Sequence, residues 1–315
     1  MTAASAPTPD GGVILVGGEA LYDVVLSDDG EELTAHPGGG PFNAARAIAR
    51  LERPVAYLGR LSDDRFGARL ERILVDDGVR LESVVRTEDP TTLALAELGD
   101  GGSVSRYRFY AQGTSAAGLT SEAALAALPE KVHTVFVGTL GLVLEPMASA
   151  LEAVVDRLSA TALVAVDPNC RPDVIRDPAA YRRRLGWILA RSHLLKVSEE
   201  DVAWLDPGRD PVDATRALMA DGPSIAVLTR GGDGAVVVSA DRAEAVAAPA
   251  IEVVDTIGAG DAFAGGFLSW WHEKGLGREA LADVDTAVEA TRFACIVAAR
   301  TCERAGASPP RRSDL

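Results

Sequence analysis

Positive charge is scarce in this 315-residue chain. Its 31 lysines and arginines face 46 aspartates and glutamates, a formal net charge of −15, and just three of the cations are lysines, Lys131, Lys196 and Lys274. A surface of that sign repels polyanions, which sets nucleic acid aside as a partner. A single nucleotide is not excluded, because a local ring of amides with Mg²⁺ holds a triphosphate even on an acidic protein. Cysteine is equally sparse: Cys170, Cys295 and Cys302 are an odd, scattered set that gives no disulfide framework and suits a reducing cytoplasm. The four histidines, His36, His133, His193 and His272, lie in unrelated contexts without zinc spacing. No apolar run reaches membrane-spanning length, and the opening MTAASAPTPDGG lacks both basic residues and an apolar stretch, so residues 1–12 read as a loose polar leader. The expectation is a soluble cytoplasmic protein with no membrane partner. Two phosphate-binding signatures are also missing. Without GxxxxGK[ST] the chain is no ordinary P-loop enzyme, and without GxGxxG a nucleotide-dependent dehydrogenase is disfavoured.

What is present is enough apolar material, 47% of residues, for one large α/β core, and no composition break divides it. The most informative stretch is Asp255 to Phe263, DTIGAGDAF. The β-branched run Ile251 to Val254 reads as a strand that meets a glycine turn, and Phe263, Phe267 and Trp271 at i, i+4, i+8 read as the buried stripe of the following helix. The opening amides of a helix lack internal partners and sit at the positive end of its dipole, and Gly258 and Gly260 remove side chains that would keep an anion away. Asp261, one residue further, is placed to orient a hydroxyl and take its proton as a bond to phosphorus forms. The bland alternative is a first-turn acid that only stabilises the helix end.

The rest of the chain alternates strands and helices, with short buried strands at Val13 to Val16, Thr134 to Gly138, Leu163 to Val166, Leu194 onward and Ala226 to Thr229. That rhythm predicts a doubly wound, mostly parallel α/β sheet with helices on both faces, whose ligands lie beyond the carboxyl ends of the strands. Asp167, Asn169 and Arg171 stand at one such end. HPGGGP at 36–41 precedes an alanine-rich helix and permits close backbone approach to a ligand, with Asn43 as a ligand residue or a helix cap. Glu199, Glu200 and Asp201 are metal-side oxygens or a first-turn cluster capped by Ser198. Thr91 to Leu98 and Val104 to Tyr110 pair around the turn GDGG. Cys295 and Cys302, seven apart on one helix face within Val288 to Glu303, read as core packing.

DTIGAGDAFAGGF and GGGPFNAARAIARL together resemble the two signatures of the ribokinase-like (PfkB) carbohydrate kinases, closest to fructokinases and 2-keto-3-deoxygluconate kinases, and the likeness runs from about residue 13 to 310. It implies a single kinase domain with a small β lid from about 20–37 and 91–113, a tail at 311–315, and transfer of the γ-phosphoryl of ATP to a sugar hydroxyl. Asp261 is then the base, with Gly258, Ala259 and Gly260 as oxyanion amides. Asp23 of GEALYD, Gly39 and Asn43 fall on the sugar, Arg171 of DPNCRP on the substrate or the charge of the transferring phosphate, while Thr229 and Gly231 of TRGGDG border the nucleotide with Gly258, Gly260 and Lys196. Ser198 and Asp201 stand where the family organises Mg²⁺, and Asp255 with AGASPP at 305–310 where it can hold a monovalent cation such as K⁺. Lids of this family often form homodimers. One departure bears on the acceptor: in fructokinases and 2-keto-3-deoxygluconate kinases the lid strand usually ends F-Y-x-R, with the arginine gripping the substrate in the acid-sugar enzymes. Here FYAQ supplies Ala111 and Gln112, which also weakens direct transfer of fructokinase specificity. A carboxylate substrate wants a charge-assisted, bidentate partner that glutamine does not offer, so the resemblance points to a neutral sugar, fructose first. Acid sugars and other ketoses or pentoses follow, and a sugar- or nucleoside-binding protein without efficient chemistry is the rival of a different class.

Overall fold

The computed structural model describes residues 11–27, 31–98 and 104–315, with side chains described outside 96–107. Most of the leader, residues 28–30 and the GDGG turn lie outside the described residues. Among these, nine strands form one sheet: β1 (Val13–Gly17), β4 (Val55–Ser62), β5 (Val84–Thr87), β8 (Val132–Gly138), β9 (Leu163–Asp167), β10 (Leu194–Ser198), β11 (Ile225–Thr229), β12 (Ala235–Val238) and β13 (Ala243–Val246). Their order is β13-β12-β11-β10-β9-β8-β1-β4-β5, parallel except for the β11–β12–β13 hairpin edge. Residues of β1 alternate between the faces: Val13 and Leu15 join one core, Ile14 and Val16 the other. A strand buried on both faces needs an unbroken apolar run, which is why VILV is legible as one.

Helices α1 (Gly40–Arg50), α2 (Arg65–Asp77), α8 (Ala259–Glu273) and α9 (Val284–Cys302) cover one face. On the other lie α3 (Ser121–Ala126), α4 (Met147–Leu158), α5 (Pro178–Leu189), α6 (Glu199–Leu205) and α7 (Pro211–Met219). The predicted stripe of α8 is buried, with Phe263, Phe267 and Trp271 each under 5% exposed. The last helix starts at Val284, earlier than the sequence suggested, because the side chain of Asp283 caps it by accepting from Asp285 N at 3.1 Å.

A second sheet of four strands is separate, in the order β3-β2-β6-β7: β2 (Leu21–Leu26), β3 (Leu33–Gly38), β6 (Leu93–Leu98) and β7 (Val104–Tyr110). LYDVV thus belongs to the small sheet and does not prolong β1. The chain leaves the large sheet at Gly18 and enters the small one at Leu21. In the large sheet β1 is flanked by β4 on one side and β8 on the other, so the winding reverses beside it, and such switch points open a crevice at the carboxyl ends.

One expected strand is absent. Ile251 to Val254 forms no ladder, and Val253 and Val254 are 59% and 62% exposed. Their β-branched composition serves an apolar surface at the crevice instead of a sheet.

Candidate active site

The GAGD turn sits where the crevice opens. Gly258 is the left-handed N-cap of α8, at φ 76° and ψ 2°, and no side chain caps the helix. A Cβ there would come within 2.7 Å of Ala307 Cβ, so both conformation and space demand glycine. The first-turn amides of a fifteen-residue helix thus face the crevice end with no side-chain acceptor. Of the amides predicted to face an anion, that of Ala259 donates to Thr256 O at 3.2 Å, a turn contact the sequence does not show.

The Asp261 carboxylate is held from helix α1. Its Oδ2 accepts from Asn43 Nδ2 at 2.9 Å, across 218 residues of sequence. Asn43 does not cap its own helix: α1 has Gly39 as N-cap and no side-chain cap. A Cβ on Gly40 would lie 3.2 Å from Asp261 Oδ1, so the glycine turn lets the carboxylate approach the backbone. Burial lifts the Asp261 carboxyl to about 6; the Asn43 hydrogen bond lowers it, Asp167 raises it, and Lys196 and Arg171 lower it.

On one side of Asp261 lie the groups expected to meet a sugar. Asp23 on β2 pairs in register with His36 on β3. Burial raises its carboxyl to about 6 against the pull of His36 and Arg171. A Cβ on Gly38 would come within 2.2 Å of Asp23 Oδ2, so the GGG run makes room for this acid too. Gly39, at φ 109°, packs on Glu19 O. Three buried acceptor atoms around this corner have no hydrogen-bond partner among the described residues: Glu19 Oε2, Asn43 Oδ1 and Asp167 Oδ1. Such atoms call for donors, and a polyhydroxyl ligand carries them.

On the other side is a cavity of about 540 Å³. It is lined by Ala259 and Gly260 of the turn and by the expected nucleotide-side residues Lys196, Thr229 and Gly231. Ser198, Asp201 and Arg171 reach it as well, whereas Asp23, Gly39, Asn43 and Asp261 are not part of its lining. Lys196 is buried and donates to Asp167 Oδ2 at 2.9 Å, and Nζ lies 3.3 Å from where a Cβ of Gly260 would be. Asp167 and neighbouring Asp201 hold the Lys196 ammonium charged by raising its pKa against burial. Arg171 is exposed; its Nη1 donates to Asn169 Oδ1 at 2.6 Å and to the carbonyls of Asn169 and Cys170.

The far wall of the cavity is apolar: Ile251, Val253, Ala298, Cys295 and Cys302. This corrects the reading of the two cysteines as core packing alone. Cys295 is buried and Cys302 half-buried, yet both line the cavity, because helix α9 presents its small residues there.

The acidic cluster at α6 is a capping box. Ser198 Oγ accepts from Asp201 N at 3.1 Å, and Asp201 Oδ2 accepts from Ser198 N at 3.0 Å and Ser198 Oγ at 2.8 Å. Its Oδ1 accepts from Cys170 N at 2.6 Å, which ties α6 to the DPNCRP loop. A carboxylate has about four lone-pair sites, so one remains for a metal or its water. Asp255 likewise fastens the turn to the C-terminal segment, with Oδ1 accepting from Ile257 N at 3.0 Å and Oδ2 from Gly306 N at 2.8 Å. Among the described residues no group of three or more His, Cys, Asp or Glu is arranged to hold a metal, and no helix is long and apolar enough to cross a membrane.

Comparison with known proteins gives a consistent result. Residues 13–314 match the family described as pfkB family carbohydrate kinase. A fructokinase of Rhizobium leguminosarum bv. trifolii is 33% identical over 260 residues, covering 82% of this chain and 79% of that one. The structure of a fructokinase with bound ATP from Xylella fastidiosa superposes with a TM-score of 0.84 at 25% identity, over 94% of this chain and 93% of that one. A fructokinase from Vibrio cholerae O395 in a fructose-, ADP- and calcium-bound form reaches 0.82 at 24% identity, over 94% of each chain.

Proposed function

Because this chain belongs to the pfkB family of carbohydrate kinases and so phosphorylates a sugar at the expense of ATP, we propose that its acceptor is fructose and that Asp261 is the general base. The observation that carries this reading is the position of Asp261. It is held by Asn43 at the corner between a group of buried, unpartnered acceptor atoms and a cavity that ends on the glycine turn. A hydroxyl entering from the first side gives its proton to Asp261 while its oxygen attacks the γ-phosphorus from the second. The amides of the N-cap Gly258 and of Gly260 in the first turn of α8 take up charge on the transferring group, and Lys196 adds a fixed positive charge beside Gly260.

Asp23, Gly39 and Asn43 orient the acceptor, Arg171 reaches it from the cavity side through its charge on Asp23 and Asp261, and Thr229, Gly231 and the apolar wall hold the nucleotide. The charge neutralisation that Mg²⁺ supplies when bound with ATP falls on the Ser198 and Asp201 side. Asp255 and the 305–310 segment are the place for a monovalent cation such as K⁺, and a rate unchanged from zero to saturating K⁺ removes that assignment. The cytoplasm is the proposed compartment, since all three cysteines are free; fractionation that finds the protein outside it contradicts this. A homodimer through the small sheet, whose Leu33 is 64% exposed, is checked by light scattering, where a monomer mass overturns it.

Support for fructose comes from the curated relatives, which include fructokinases; Gln112, exposed just past β7, has no charge to offer an acid sugar and favours a neutral acceptor without selecting fructose among them. A screen of free sugars with ADP release as readout tests it. Fructose is expected to give the highest kcat/KM, and a preference for 2-keto-3-deoxygluconate overturns the acceptor while leaving the kinase reading intact.

A further inference from the structure

Glu19 is a buried acid of this corner that the reaction as described does not use. Its residue is 2% exposed, at the point where the chain passes from the large sheet to the small one. Oε1 accepts from Gly40 N at 3.1 Å and from Thr139 Oγ1, while Oε2 is buried without a partner among the described residues. Thr139 sits at φ 52°, a left-handed conformation that a β-branched residue rarely adopts, so something must hold it there. Gly40 lies between it and the base: a Cβ on Gly40 would come within 2.6 Å of Thr139 Cγ2 and 3.2 Å of Asp261 Oδ1. The carbonyl of Glu19 also backs Gly39, where a Cβ would approach to 2.6 Å.

We propose that Glu19 is a positioning residue for phosphoryl transfer: by anchoring Gly40 and Thr139 from behind, it fixes the seat of Asp261 and of the hydroxyl that Asp261 deprotonates. The charged and titratable groups that act on it or feel it are Asp261 on α8 and the phenol of Tyr57 on β4, whose hydroxyl donates to Gly18 O at 2.7 Å. Burial and the Asp261 charge both lift the Glu19 carboxyl, so its role is that of a hydrogen-bond acceptor at Oε1 and does not need a full negative charge. The inference rests on Asp261 being the base.

The test compares Glu19→Gln, Glu19→Met, Glu19→Asp and Asp261→Asn in the full-length protein, reading kcat, both KM values and ATP affinity by calorimetry. Glutamine keeps an oxygen for both donors, and its kcat is expected within about threefold of the native value. Methionine removes the acceptor, and a misplaced base is expected to cost about 10- to 100-fold in kcat with ATP affinity unchanged. Should Glu19→Met not fold, Glu19→Asp draws the oxygen back by one methylene and is expected to lose about tenfold. Native kcat in both Met and Asp variants, or a loss shared equally by kcat and ATP affinity, overturns the inference. If Asp261→Asn turns over normally, the base assignment fails and this inference with it; if Asp261→Asn is inactive and the Glu19 variants are native, this inference alone fails.

Discussion

The two sides of Asp261 are built by opposite means. The acceptor side is assembled from side chains brought together over long sequence distances, with Asn43 bonded to Asp261, Glu19 bonded to Thr139 and Asp23 seated over Gly38. Its acids are desolvated, and the carboxyls of Glu19, Asp23 and Asp261 are lifted to about 7, 6 and 6. The nucleotide side is assembled from backbone at a helix start and from an apolar wall, part of which is exposed. Specificity for a hydroxyl pattern needs fixed acceptors, whose desolvation is offset only when the matching donors arrive. A triphosphate and base need amides and apolar contact, which small residues and peptide groups provide.

The largest effect should come from the residue both sides share. Asp261→Asn keeps the shape of the carboxylate but not its basicity, and a fall in kcat of roughly 10²- to 10⁴-fold is expected with ATP affinity within a few-fold of native. A matched loss of ATP affinity would merge the two sides into one. A smaller effect follows from proton binding on the acceptor side alone. The base must be ionised, so with its carboxyl raised to about 6, kcat/KM for the sugar should fall about tenfold for each unit of pH below that value, while nucleotide affinity stays flat. The same raised carboxyls make the folded state bind more protons than the unfolded one between about pH 4 and 7. Stability of the free enzyme should therefore decline as pH rises through that window, and a melting curve that rises with pH across it would contradict the lifted values. The smallest effect belongs to the apolar wall. Val253→Ser should raise the KM for ATP about fivefold, the equivalent of about 1 kcal/mol of lost apolar contact, and leave the sugar KM unchanged.

The two sides were also unequally legible in the sequence. The proposed nucleotide side is local: DTIGAGDAF carries its own turn, helix start and proposed base within nine residues, and backbone amides need no partner from elsewhere. The doubly wound order was legible for the same reason, since each buried strand is a short continuous apolar run. On the acceptor side GGGP marks a close approach, but nothing in the sequence joins Asn43 to a carboxylate 218 residues away or Glu19 to Thr139. Local reading also misjudged chemistry that serves two purposes. Ile251 to Val254 has a strand's composition and lines a cavity, and Ser198 with Asp201 offers the same oxygens to a helix cap as to a metal.

The most direct measurement is a crystal structure with fructose and a non-hydrolysable ATP analogue bound together. It should place one sugar hydroxyl about 3 Å from an Asp261 carboxylate oxygen and the terminal phosphate against the amides at Gly258 and Gly260. A sugar bound with no hydroxyl near Asp261, or a phosphate held away from that helix start, would contradict the account.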